Sequence, residues 1–165
     1  MESTSGWDAL GVNDKAYCWY DNNTANRDTY GGLYTWAAAV NGTTGSDTNP
    51  SGVQGVCPDG WHLPSDAEWK ELEMFLGMSQ VDANESGWRG TDEGGKLKEA
   101  GTTHWNSPNA GATNESGFTA LPGGFRDFDG SFNNLGYNAA FWAAAEGDVA
   151  SAWGVGCACV LLRTS

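Results

Sequence analysis

The sequence predicts an α+β domain in which two helices pack on a small, twisted, mostly antiparallel sheet beneath long loops. Three features predict it: a capped apolar stripe near the middle of the chain, short aromatic runs bounded by Gly and Pro, and a two-residue alternation at the C-terminal end.

The best-signalled element begins at Ser65. Ser65 and Glu68 have the spacing of a capping box, in which each side chain satisfies an orphan amide of the first turn. Trp69, Leu72, Phe75 and Leu76 then read as one apolar stripe, Gly77 supplies a left-handed stop, and Pro64 prevents extension backwards. A second helix is expected where Leu33, Trp36, Ala37 and Val40 recur at helical spacing before Asn41-Gly42.

Strands are expected elsewhere. Ala16–Tyr20 is short and aromatic, and Phe118–Leu121 runs into the turn Pro122-Gly123-Gly124. Phe125–Phe132 encloses Asp129-Gly130, a hairpin signal. From Trp153 onward the odd positions (Trp153, Val155, Cys157, Cys159, Leu161) form one face, read as directed to the core. Residues 41–55, 79–95 and 102–117 are polar and rich in turn formers, and read as loops.

A chain of 165 residues suits a single domain. Its 24 glycines and 9 tryptophans suggest irregular segments pinned by aromatic anchors. Trp7, Trp88 and Trp105 lie in polar surroundings and are the better candidates for partial exposure, although anchoring of loops is the reading taken first. The formal net charge of −13 would repel a duplex or an anionic membrane. Lys96, Lys98 and Arg89 lie beside Asp92 and Glu93, so no basic patch forms and nucleic acid is not an expected partner. No apolar run is long enough to span a membrane, so insertion is not expected. The opening MESTSGWDAL lacks the basic start and apolar core of a secretory signal, which leaves cytosolic, virion-borne and surface-displayed locations open.

The residues that could carry chemistry have simpler readings. Cys18, Cys57, Cys157 and Cys159 permit three pairings, but their spacing is poor for zinc, and buried thiols with at most one bridge are expected. Cys157 and Cys159 have no basic neighbour to stabilise a thiolate. Asp127 and Asp129 offer two carboxylates but not the remaining ligands of a calcium loop, and a hairpin turn accounts for them. His62, just before the helix cap, is expected to bond locally, and His104 to lie in a loop. No metal, cofactor or catalytic residue is therefore expected.

Several long, ordered blocks carry a family resemblance. They are YGGLYTWAAAVNG (30–42), GVCPDGWHLPSDAEW (55–69), GGKLKEAGTTHW (94–105), TNESGFTALPGGFRDFDGSF (113–132) and FWAAAE (141–146). Together they resemble the Fibrobacter succinogenes major paralogous domain, itself similar to the formylglycine-generating-enzyme branch of the C-type lectin fold. The resemblance implies a C-type-lectin-like domain over residues 1–165, with Trp61, Trp69, Trp142 and Trp153 of its scaffold blocks in the core. It also implies kinship with variable proteins of diversity-generating retroelements, in which adenine-directed changes rewrite a C-terminal segment while the scaffold stays fixed. Here that candidate variable region is 137–162.

Where such relatives carry polar and aromatic residues after the FW pair, this chain has Ala143, Ala144 and Ala145, then Gly147, Asp148 and Val149. It retains Phe141, Trp142, Glu146 and Trp153. Between Ala139 and Ser165, only Trp142, Glu146 and Trp153 lie beyond reach of adenine changes in an Asn codon, a composition that permits diversification. The sugar-binding calcium motifs of C-type lectins are absent.

The resemblance thus implies a ligand-binding display protein, not an enzyme, whose C-terminal patch recognises a protein or cell-surface receptor. The candidate contact residues are Tyr137, Ala140, Ala144, Asp148, Val149, Ser151, Gly154, Gly156 and Ala158. Such small side chains make a shallow site, so several copies in an oligomer would supply avidity. Two other classes stand beside this one: a structural or adhesive surface module without hypervariation, and an oxidase of the formylglycine-generating type acting through its cysteines.

Overall fold

The computed structural model describes residues 4–85, 87, 89–146 and 152–155, with side-chain surroundings described over 6–85, 87 and 89–146. The elements are α1 (Thr4–Trp7), β1 (Tyr17–Cys18), α2 (Thr24–Tyr30), β2 (Leu33–Tyr34), α3 (Trp36–Ala39), α4 (Asp66–Phe75), α5 (Gln80–Ala83), α6 (Glu93–Leu97), β3 (Phe125–Arg126), β4 (Phe132–Asn133), β5 (Phe141–Glu146) and β6 (Ala152–Val155). The protein is α+β, as the sequence predicts. Its strands, however, form three separate two-stranded antiparallel ladders among the described residues, in place of one sheet.

The capping box at α4 forms as expected. Ser65 Oγ accepts from the Glu68 amide at 3.2 Å, and Glu68 Oε2 accepts from the Ser65 amide at 2.9 Å. Gly77 takes φ +117°, which ends the helix. The stripe itself is corrected at one position. At 100° per residue, Trp69, Leu72, Glu73 and Leu76 share a face and Phe75 lies well off it, so Phe75 is 83% exposed. Glu73 takes the vacated core position because Arg89 meets it at 2.9 Å and also reaches Asp66 at 3.1 Å.

The helix expected from Leu33 begins later. Leu33 and Tyr34 pair with Cys18 and Tyr17, and α3 starts only after Thr35, whose hydroxyl accepts from the Ala38 amide. Asn41 and Gly42 both adopt positive φ and stop α3 as predicted. The sequence reading did not anticipate α2, capped by Asn23 Oδ1 on the Ala25 amide. The stretch 79–95, read as a loop, contains α5 and the start of α6. Phe118–Leu121 is not a strand; Ala120 makes a single parallel bridge to Lys98. The hairpin around Asp129-Gly130 is present, pairing Phe125 with Asn133 and Arg126 with Phe132.

Among the described residues the apolar side chains form four small clusters, and β5 joins two of them. Ala144 packs with Val40 and Val53 on one face, while Ala143 and Ala145 pack with Trp69 on the other. The strand is clamped at the backbone as well. The Trp36 indole donates to Ala143 O at 3.0 Å, the Ala144 amide donates to Pro64 O at 2.7 Å, and the Ser46 amide donates to Ala144 O at 3.0 Å. A side chain on Gly45 would place its Cβ 2.6 Å from Ala144 O. With both faces covered this closely, only alanine-sized side chains fit.

The tryptophan assignments divide. Trp69 is core as expected and Trp142 is half-buried, but Trp61 is 71% exposed. Trp7 and Trp105, the candidates for partial exposure, are buried and so fit the anchoring reading. Arg126 covers the Trp7 ring at 4.4 Å, and Trp105 donates its indole N–H to Ala120 O at 3.0 Å. Trp88 and the Trp153 side chain lie outside what is described. The core-directed face assigned to the C-terminal strand likewise falls on undescribed side chains, while the β6 backbone pairs with β5.

Candidate functional site

The predicted contact residues do not all reach the surface. Tyr137 does: it is 62% exposed, on a turn held by its amide to Asn134 O at 3.0 Å. Ala140 is half-buried just before β5. Ala144 is 0% exposed and belongs to the core, which corrects its assignment as a contact. Its place in a run of small residues resembled tolerance to change, but the run is small because β5 is covered on both faces. Gly154 pairs with Trp142 across the β5–β6 ladder. Asp148, Val149 and Ser151, which fall in sequence between the paired residues Glu146 and Ala152, lie outside the described residues, as do Gly156 and Ala158.

Beside β5 the chain encloses a cleft of about 210 Å³. Its walls include Trp7, Tyr34, Phe125, Arg126, Ala140 and Trp142. These come from elements far apart in sequence, which is why only Ala140 among them was singled out as a contact. Trp142 is locked in place by its indole N–H donating to Tyr34 O at 2.8 Å. Tyr34 stacks on Tyr17 with ring centroids 5.9 Å apart, and Tyr17 meets Trp19 edge-on at 6.2 Å. Tyr17 and Tyr34 are exposed, so an aromatic rim continues outward from the cleft. The Arg126 guanidinium is held between Trp7 and Phe132, at 4.4 and 4.7 Å from their ring centres, and its Nε donates to Gly130 O at 3.0 Å. That arrangement makes a rigid apolar slot beside one fixed cation.

The remaining chemically capable side chains serve local structure. His62 bonds Glu68 at 2.7 Å, and His104 bonds Glu99 at 2.9 Å, so both histidines stand against carboxylates. Cys18 and Cys57 are free thiols. Burial pushes both thiols up, and for Cys18 it outweighs the opposing pull of Arg126, so neither is primed as a nucleophile. Cys157 and Cys159 lie outside the described residues. Asp127 and Asp129 each accept a turn amide at 2.8 Å, and the Ser131 hydrogen bonds hold Asp129 below its usual range. Among the described residues, no group of three potential ligands converges on a metal position, and no helix is long and apolar enough to cross a membrane.

Glu68 carries a testable pH dependence. Burial alone would raise its carboxyl, but hydrogen bonds from the Ser65 amide, the His62 ring and the Ser51 amide outweigh this and hold it below its ordinary value. A depressed carboxyl stabilises the fold above the unfolded value of about 4.3 and loses that contribution as pH falls through the folded value. Glu73 acts oppositely, because burial raises it. The total pH curve therefore mixes both effects, and the difference between wild type and Glu68→Gln isolates one. Urea unfolding should show that difference largest near neutral pH and shrinking below pH about 4. A difference that stays constant with pH would contradict the assignment.

A family model described as the Fibrobacter succinogenes major domain matches residues 2–158. No curated protein and no solved structure matches the chain.

Proposed function

The chain belongs to the Fibrobacter succinogenes major domain family, and from that membership we propose that it is a ligand-binding display domain recognising a protein or cell-surface receptor. One observation supports this reading above the others. Along and just before β5, anchoring and presentation are divided between neighbouring residues: Ala143, Ala144 and Ala145 are sealed in the core, while Tyr137, Ala140 and Trp142 reach the surface or the cleft. A frame immobilised by buried alanines loses little entropy on binding, so exposed positions beside it can vary in specificity without unfolding the domain.

The contact set is accordingly Tyr137, Ala140, Asp148, Val149, Ser151, Gly154, Gly156 and Ala158, with Trp142 added and Ala144 removed. Recognition of this kind needs no metal, cofactor or catalytic group, and several copies in one assembly would supply avidity. The same reading assigns the domain to the C-type-lectin-like fold and its variable segment to a diversity-generating retroelement.

A library randomised at those eight predicted positions, with Ala144 held fixed, tests the proposal. Most clones should keep thermal midpoints within about 5 °C of wild type, and selection against an unrelated protein such as lysozyme should yield binders. Loss of folding in most clones would remove the division of labour on which the reading stands. For the retroelement, the flanking DNA should hold a near-repeat differing only at adenines, next to a reverse transcriptase gene. Absence of both would leave an invariant adhesive module.

A further inference from the structure

We propose that the cleft beside β5 receives a single aromatic side chain of a basic protein partner. The inference rests on the ligand-binding reading above and names the partner's chemistry.

Size comes first. An apolar cavity of roughly 150 Å³ holds one benzene ring, whereas sites for drug-sized ligands span about 300–1,000 Å³. At about 210 Å³, this cleft is of a size to take one phenol or indole ring. The lining gives the chemistry. Phe125 and Trp142 line the slot with aromatic rings, against which an aromatic guest gains more than area burial alone supplies. Arg126, held between the rings of Trp7 and Phe132, lines the same slot as a fixed wall.

Preorganisation is the third element. Trp142 is pinned to Tyr34 O, and Arg126 is held between two rings and bonded to Gly130 O, so the walls need no ordering when a guest enters. The exposed rim of Tyr17 and Tyr34 then covers the residues flanking the anchor. Buried aromatic anchors in rigid pockets, surrounded by a rim that excludes water, are where binding energy concentrates in protein interfaces.

Charge selects the partner. With a formal net charge of −13, the domain attracts basic surfaces and repels acidic ones at long range. An anchor flanked by Lys or Arg therefore has the apolar slot for its ring and the long-range field of the domain for its charges.

The probes are Ac-Lys-Trp-Lys-NH2 and Ac-Lys-Ala-Lys-NH2, titrated into the whole chain and followed by NMR at the Trp7 and Trp142 indole N–H resonances. The tryptophan peptide should give saturable shifts and bind at least about tenfold more tightly than the alanine peptide. Its affinity should fall about tenfold in Ala140→Phe, which fills the cleft, and on going from about 50 mM to about 0.5 M salt. Val56→Trp, at an exposed position on the mouth, should block entry in a variant whose folding is not at risk. Equal binding of the two peptides, no saturable shift, or no effect of Val56→Trp would overturn the aromatic anchor. Salt-independent binding would overturn the basic partner, and a methyl glycoside saturating the same resonances while the peptides stay silent would replace it with a sugar. These readouts use wild-type contact residues, so they stand even if the randomised library fails. A library that yields binders beside a silent cleft would sink this inference alone.

Discussion

Trp105→Ala should cost about 3–5 kcal/mol and shift the urea midpoint by on the order of 2 M. Trp105 is buried with Leu76, Leu97, Ala120 and Ala139, and thereby ties α4, α6 and the start of β5 into one cluster. Lys98 lies over its ring with Nζ 4.9 Å from the centroid. Truncation leaves a cavity that none of these neighbours can fill without moving an element. Against a total stability of about 5–15 kcal/mol, that loss brings the domain near its unfolding threshold. Trp105→Phe is the informative companion. It keeps most of the ring and removes the indole bond to Ala120 O, which the Glu99 amide still reaches at 3.1 Å. The acceptor stays satisfied, so the cost should be only about 1–2 kcal/mol. Were Trp105→Ala to unfold within 0.5 M urea of wild type, the surface role suggested by its polar sequence neighbours would be restored.

The second large effect concerns Ala144. Ala144→Asn inserts a larger, polar side chain at a site packed by Val40 and Val53, with the strand clamped to Pro64 and Ser46 on its backbone. Overpacking contributes about 1–3 kcal/mol, and an amide buried without partners about as much again. The expected sum is on the order of 3–5 kcal/mol. Tyr137→Asn, at an exposed turn, should change stability by no more than about 0.5 kcal/mol. Urea unfolding of the two variants side by side reads the boundary between frame and display. Should Ala144→Asn be as harmless as Tyr137→Asn, β5 would not be the buried strand described here.

These variants also mark where local pattern stops being informative. The α4 cap was legible because a capping box is a contact between residues three apart, and nothing distant can change that spacing. The same holds for the Asn41-Gly42 stop and for the Asp129-Gly130 hairpin, whose positive-φ residues write their turns directly into the chain. Short helices were less legible. α5 and α6 interrupt a polar stretch and carry too few apolar residues to show a period.

The candidate site was legible only in part. Tyr137, proposed as a contact, stands at the surface, and Ala140 is half-buried just before β5. Ala144 was misread because a small residue looks the same in sequence whether it is small for tolerance or for lack of room. The cleft was missed altogether: Trp7, Tyr34, Arg126 and Trp142 lie on four separate elements, and no spacing along the chain relates them.

The sequence by itself determined the family, the α+β class, the net charge of −13, and those elements whose contacts are local. The tertiary structure alone decided which tryptophans are buried, which alanines are core and where a ring-sized cleft opens. Those outcomes depend on side chains brought together from distant elements. Burial is a property of the assembled neighbours, so Trp7 sinks beneath Arg126 and Trp61 stands in solvent regardless of what flanks each along the chain.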